Sequence, residues 1–235
     1  MRMIHEDKLY QLTSMPRFFP VNCYFVEEED GLTLIDAAMP FSAKGILKAA
    51  KTIGKSISKI ILTHAHEDHV GALDSIKEAF PDAIVHISVR DARIMDGDMS
   101  IASDEPNVSI KGGVPKKLKT RPNVLLNDGD RIGSLLAIST PGHTPGSMSF
   151  LDVRTNALIA GDAFQTRGGL AVAGDIRFWF PFPALGTWHK ETALISAKRL
   201  MELNPSVLAV GHGEIVKKPA KEMQKTIERF ESKLN

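Results

Sequence analysis

The chain has 235 residues, 43% of them hydrophobic and 24% charged, with a formal net charge of +1. Such a chain is long and apolar enough to bury a core and does not belong to the disordered class. Its near-zero charge supplies no field toward nucleic acid or anionic lipid, so the expected partner is a small molecule, with the oligomeric state left open.

The opening stretch MRMIHEDKLY lacks the apolar centre of a signal peptide. No apolar run approaches the roughly 18 residues that a membrane span needs, and the expected location is the cytoplasm. Cys23 is the single cysteine, which excludes an intramolecular disulfide and cysteine-based zinc motifs. Any metal must therefore rest on His, Asp or Glu.

In chain order, NCYFV and LTLID flank the turn EEEDG and predict a hairpin, with Gly31 supplying the permissive backbone. Residues 41–54 place Ile46, Leu47, Ala50 and Ile53 at helical spacing, and Gly54 predicts the stop. KIILT (59–63) is short and continuously apolar, as a strand buried on both faces would be. Leu73, Ile76 and Phe80 mark a helix closed by Pro81, and AIVHIS (83–88) predicts the strand completing a β-α-β unit. From Asp96 to Pro122, turn residues and a basic run through Lys116, Lys117, Lys119 and Arg121 predict a long solvated excursion.

VLLNDGD and LLAIST predict strands around a turn, and SMSFLDV with NALIAGD a further hairpin. FWFPFPALGTW (178–188) reads as a loop of aromatics and prolines, residues 188–203 as a helix, and SVLAV (206–210) as a strand. Ala220, Met223, Ile227, Phe230 and Leu234 alternate steps of three and four, which gives the last helix one apolar face to dock. No internal repeat interrupts this order. The interleaving predicts one α/β domain over 1–235, with two sheets sandwiched between helices.

The decapeptide THAHEDHVGA (63–72) breaks the ordinary composition by setting His64, His66, Asp68 and His69 within six residues. Chance yields such an H-x-H-x-D-H pattern on the order of once in two thousand chains of this length and composition. His and carboxylate are the ligands of a borderline metal when sulfur is absent. In an extended segment residues two apart face the same way, so His64 and His66 reach one ion together. Asp68 and His69 lie round the bend and suggest a second ion. A helix-capping role for Asp68 explains one residue of the four.

Two ions need more donors at strand ends. His143 lies in TPGHTPG after LLAIST, Asp162 ends NALIAGD, and His212 ends SVLAVGH. All three follow apolar strands directly, which assigns them to one rim of a sheet.

In these motifs and their order, HAHEDH, GHTPG, GD and GHG, the chain resembles the metallo-β-lactamase superfamily, from LTLIDAAMP to GHGEIV. The resemblance implies an αββα four-layer sandwich as a single domain. It implies one metal on His64, His66 and His143, a second on Asp68, His69 and His212, and Asp162 bridging the two. Two divalent ions, zinc first and Mn2+, Co2+ or Fe2+ as alternatives, would then generate hydroxide at neutral pH and polarise a carbonyl. Asp68 would orient that hydroxide and carry a proton to the leaving group. Asp36 matches a family aspartate near the site, against the reading that it merely ends a strand.

Within the family, the expectation is a glyoxalase II or lactonase-like hydrolase of a small ester, thioester or lactone, not a secreted β-lactamase. Only 23 residues follow His212, room for one helix rather than a helical glutathione-binding domain. Gln165 stands where quorum-lactone hydrolases commonly carry a tyrosine. Phe164 and Gln165, beside Asp162, and Phe178 and Trp179 in the aromatic loop are the candidate substrate contacts. The alternatives are a mononuclear iron persulfide dioxygenase-like oxidoreductase and a phosphodiesterase. His5, His86 and His189 are expected to be structural.

Overall fold

In the computed structural model, which describes residues 1–115 and 117–235, the strands and helices group into two units. One comprises Met1–Gly97 with Val114–Leu126, the other Asp98–Gly113 with Asn127–Asn235. Lys116 of the basic run lies outside the described residues.

The first unit contains β1 (Arg2–Glu6), β2 (Leu9–Ser14), β3 (Val21–Glu27), β4 (Leu32–Ile35), α1 (Ala43–Ile53), β5 (Ile57–Ile61), α2 (Glu67–Val70), α3 (Leu73–Ala79), β6 (Ile84–Ser88), α4 (Val89–Met95) and β7 (Val124–Leu126). Its seven strands form one sheet in chain order. β1 to β4 pair antiparallel through hairpins, whereas β4 to β7 pair parallel. The change of direction comes where α1 is inserted, because parallel neighbours need a crossover that a tight turn cannot supply. α1 buries Ile46, Ala49 and Ala50 and ends at Gly54 in the left-handed region (φ 80°), as its spacing predicts.

The second unit contains β8 (Arg131–Ile132), β9 (Leu135–Ser139), β10 (Met148–Asp152), β11 (Ala157–Ile159), β12 (Phe164–Gln165), β13 (Ala171–Val172), α5 (Phe182–Gly186), α6 (Lys190–Glu202), β14 (Val207–Ala209), β15 (Val216–Lys217) and α7 (Ala220–Leu234). Six of its strands form a sheet in the order β15-β14-β11-β10-β9-β8, and β12 and β13 pair separately. β9 and β11 both run antiparallel to β10, and β14 runs parallel to β11. β9, β11 and β14 therefore point the same way, and the residues that follow them leave the sheet at one rim.

α6 and α7 pack with Phe164, Val172 and Leu208 into one apolar cluster that includes Leu194, Leu200, Met223, Ile227 and Phe230. Burying Met223, Ile227 and Phe230 contributes about 1.5–3 kcal/mol each, which docks α7 as its three-four periodicity predicts. No described helix is long and apolar enough to cross a membrane.

Three local features depart from the sequence reading. β1 and β2 form an unanticipated hairpin, because β1 is largely exposed and too polar to stand out. VLL does not form a hairpin with LLAIS: β7 pairs with β6 in the first unit while β9 pairs with β8 and β10 in the second. The NDGD turn thus joins two sheets instead of two partners. FWFPFPALGTW also contains the short helix α5, where prolines occupy the cap and first turn, positions that need no amide donor. The 96–122 excursion holds no helix or strand among the described residues, and Arg121 forms an exposed ion pair with Asp96 at 2.7 Å.

Candidate metal centre

The predicted donors fall into two groups, one in each unit. In the first, the C-terminal ends of the parallel strands β4 and β5 carry Asp36 and Thr63, the usual position for sites in open α/β sheets. Asp36 adopts a left-handed backbone (φ 61°), a conformation that Asp tolerates better than most residues. Its two oxygens accept the Thr63 amide and hydroxyl, each at 2.8 Å. The same Oδ2 lies 2.7 Å from Nδ1 of His69.

These contacts fix two tautomers. A carboxylate only accepts, so His69 carries its proton on Nδ1. The Thr63 hydroxyl gives its one proton to Asp36 and therefore accepts from Nδ1 of His64, at 3.0 Å. Both rings turn Nε2 outward as a lone pair, the state that ligates metal. His66 is the extended cap residue of α2 and is 4% exposed, and its ring meets His64 edge-on at 4.7 Å. Ligand atoms of the pairs His64/His66, His64/His69 and Asp68/His69 lie within 4.8 Å of one another. Asp68 is half-buried in the first turn of α2, whereas Glu67 beside it is exposed.

In the second unit, His143 follows β9, Asp162 lies in the turn Gly161–Ala163 after β11, and His212 follows β14. The common direction of those strands brings all three together. Asp162 Oδ2 lies 3.3 Å from Nε2 of His143 and 3.2 Å from Nε2 of His212. The Thr187 hydroxyl donates to the Pro183 carbonyl at 2.8 Å, so it accepts from Nδ1 of His143 at 3.2 Å. Nε2 of His143 is then a lone pair facing a carboxylate oxygen. Two acceptors at that separation need a cation between them, a second proton or a metal ion. A buried set of imidazoles and carboxylates without sulfur suits a divalent metal, and the residues present fit such an ion.

The glycines beside two histidines have a steric origin. A Cβ on Gly142, at φ 141°, would lie 2.4 Å from the Ala193 Cα, and one on Gly213, at φ 113°, would lie 2.2 Å from the Thr166 Oγ1. The chain passes too close to its neighbours there for any side chain.

The candidate substrate contacts divide. Phe164 is fully buried in the core of its unit. Gln165 is buried, and its Nε2 donates to the Phe180 carbonyl at 3.2 Å. The Phe180 ring is buried and lies 5.5 Å from that of His212. Phe178 and Trp179, next in the chain, are 87% and 82% exposed and meet edge to face. Trp188 closes the segment, donating its amide to the His143 carbonyl at 2.9 Å and its indole N–H to the Val108 carbonyl at 2.7 Å. The aromatic segment is thus tied to His143 and His212.

Sequence reasoning does not single out Thr63 or Thr187. Thr63 is adjacent to the first histidine, but nothing local signals Thr187, which lies 44 residues from the ring it orients. The remaining histidines have structural settings. His5 stacks on Tyr10 at 4.0 Å, and His189 caps α6. Burial lowers the pKa of His86, which contacts the Ile60 and Ile84 carbonyls.

Comparison with known proteins extends this pattern. Residues 16–212 match the metallo-beta-lactamase superfamily. The chain is 56% identical over 229 residues to uncharacterized protein YobT of Bacillus subtilis (strain 168), covering 97% of this chain and 98% of that one. It is 34% identical over 215 residues to the "Probable metallo-hydrolase YflN" of the same strain, covering 82% and 80%. A hydroxyacylglutathione hydrolase of Bartonella quintana (strain Toulouse) shares 29% identity over 143 residues, 60% of this chain and 47% of that protein. Among solved structures, TTHA1623 in a di-iron-bound form has a TM-score of 0.66 at 29% identity, covering 92% and 97%. A metallo-beta-lactamase from Pontibacter korlensis has a TM-score of 0.74 at 15% identity, covering 98% of each chain, a likeness of fold. The protein belongs to the metallo-β-lactamase superfamily.

Proposed function

We propose that this protein is a metal-dependent hydrolase of a small ester, thioester or lactone with a dinuclear centre. His64, His66 and His143 would hold one ion and Asp68, His69 and His212 the other, with Asp162 available as a ligand to both. The observation that carries the reading is Asp162 Oδ2 set within 3.3 Å of Nε2 of both His143 and His212, with the far nitrogen of His143 already engaged. Neither donor group completes two coordination shells alone, and the family pattern joins them. Zinc is the first choice of ion, and the di-iron form of TTHA1623 makes iron the second.

Bound divalent ions would supply an activated water at neutral pH and a Lewis acid for the scissile carbonyl. The chain's own groups do the rest. Asp36 and Thr63 hold His64 and His69 in the ligating tautomer, and Thr187 does the same for His143. Asp68, half-buried, holds the proton released on attack and returns it to the leaving group. The exposed pair Phe178 and Trp179, next in the chain to the Phe180 that packs on His212, offers apolar surface to an acyl chain.

The test is metal analysis of the purified protein, followed by turnover of metal-free protein reloaded with Zn2+, Mn2+, Co2+ or Fe2+ on thioesters, lactones, aryl esters, β-lactams and a phosphodiester. Activity restored by metal on the acyl substrates is expected, and His66→Ala or Asp162→Asn should lower both metal content and turnover. Full activity of metal-depleted His66→Ala protein would overturn the mechanism. Iron retention with oxygen consumption on a persulfide would point to the dioxygenase alternative.

A further inference from the structure

The strand pairing that leads β5 toward its histidines is completed by a side chain. β5 and β6 run parallel with Ile60 opposite Val85 and Ile61 opposite His86. The pairing continues to the Leu62 amide, which donates to the His86 carbonyl at 2.9 Å. Beyond that point β6 becomes α4, with Ser88 as its cap, accepting from the Asp91 amide at 3.0 Å. From Val89 onward the chain is helical. The Ala65 amide instead meets Oδ2 of Asp91 at 2.8 Å, and both residues are fully buried.

Ala65 separates His64 from His66. Its N–H lies in the rigid peptide plane that joins it to His64, so the direction of that bond sets ψ of His64 and φ of Ala65. Those are two of the four backbone angles that separate the flanking histidines, so fixing them narrows how the two imidazoles can point relative to one another. A hydrogen bond is stronger where water is excluded, and breaking one there leaves the buried amide unsatisfied. We propose that Asp91 is a positioning residue for the pair His64 and His66, acting through the Ala65 amide to hold both rings on one ion. The inference rests on the metal-centre reading above.

S-x-x-D over 88–91 is also a helix-start pattern, in which the carboxylate serves only its own helix. The two roles move different quantities. A cap changes the stability of α4, whereas a positioning residue changes the field at the metal and its affinity.

The experiment loads metal-free wild type, Asp91→Ala and Asp91→Asn with Co2+, whose visible bands report ligand geometry. Asp91→Ala should weaken Co2+ binding roughly tenfold or more, in the range seen when partners of metal ligands are removed, and should shift the bands. Asp91→Asn retains an acceptor oxygen and should recover most of the affinity. Hydrogen exchange on metal-free wild type should show the Ala65 amide protected. Unchanged affinity and bands in folded Asp91→Ala would overturn the inference and leave the metal centre standing, while a wild type that takes up no Co2+ would overturn both. Should Asp91→Ala not fold, Asp91→Asn and the exchange rate decide, since an Ala65 amide exchanging like an exposed loop overturns the inference.

Discussion

Asp36 and His69 meet with a carboxylate oxygen 2.7 Å from Nδ1, both side chains almost wholly buried. The same oxygen accepts the Thr63 hydroxyl at 2.8 Å, and Thr63 in turn receives Nδ1–H of His64 at 3.0 Å. One aspartate at the end of β4 therefore orients two histidines of the motif that follows β5. The sequence left two alternatives for Asp36, a family aspartate near the site or a residue that merely ends a strand. It ends the strand in a left-handed backbone, and its carboxylate meets His69 and Thr63.

Asp36→Ala should free both rings to rotate and exchange tautomers while leaving every ligand atom in the sequence. Metal affinity should fall about 10- to 100-fold, measured by competition with a chromophoric chelator. Thr63→Val breaks only the path to His64 and should cost less. Equal affinity in wild type and Asp36→Ala would show that packing alone orients the rings.

Gly142 and Gly97 separate two costs of adding a methyl group. Both have positive φ, 141° and 91°, but a Cβ at Gly97 meets nothing within 4 Å, whereas at Gly142 it lies 2.4 Å from the backbone of Ala193. Gly97→Ala pays only for the backbone, about 1 kcal/mol. Gly142→Ala must also part the His143 loop from α6 and should cost about 3 kcal/mol or more, read as a shift in denaturation midpoint. Similar midpoints for the two variants would mean that the loop yields freely.

Much of the proposed donor set is legible in the sequence because residues of metal-ligand type are local in kind and pattern. His64, His66, Asp68 and His69 announce themselves within six residues, and His143, Asp162 and His212 each end an apolar strand. What supports them is less legible. Thr187 reaches His143 across 44 residues, and Asp91 reaches Ala65 across 26, so no window of sequence contains either pair. The fold shows the same division. α1, α7 and the β10–β11 hairpin follow from spacing and turn chemistry, but the assignment of β7 to β6 depends on which edge lies free, which periodicity does not encode. Phe164 illustrates the converse, since adjacency to Asp162 nominated it for substrate while its side chain is spent in the core.

Phe178 and Trp179 are solvated beside an anchored neighbour. Phe180 is buried against His212 and held by Gln165, so the exposed pair projects from a fixed base. On the acyl-hydrolase function proposed above, Phe178→Ala and Trp179→Ala should raise KM for long-chain acyl substrates and leave short acetyl substrates nearly unchanged. Each ring removed should cost about 1–2 kcal/mol of binding, roughly 5- to 30-fold in KM. Stopped kinetics on a series of chain lengths checks this, and a loss independent of chain length would reassign the pair.

Asp175 is buried beneath α7, where it accepts from Arg229 at 2.8 Å and from Lys233 at 2.6 Å. Burial alone pushes its pKa up, but the bonds and charges of Lys233 and Arg229 together outweigh burial and hold it below the usual value of 3.8. A depressed folded pKa contributes stability that is fully present above the unfolded value, about 3.9. That stability is lost as pH falls through the folded value. Asp175→Asn should therefore unfold at lower urea than wild type at pH 7, with the gap narrowing below about pH 4 as the wild-type carboxylate takes up its proton. Urea titrations at pH 7, 4 and 3 measure the gap directly. A gap that stays constant across that range would assign the loss to shape and hydrogen bonding at α7, with no part for the charge on Asp175.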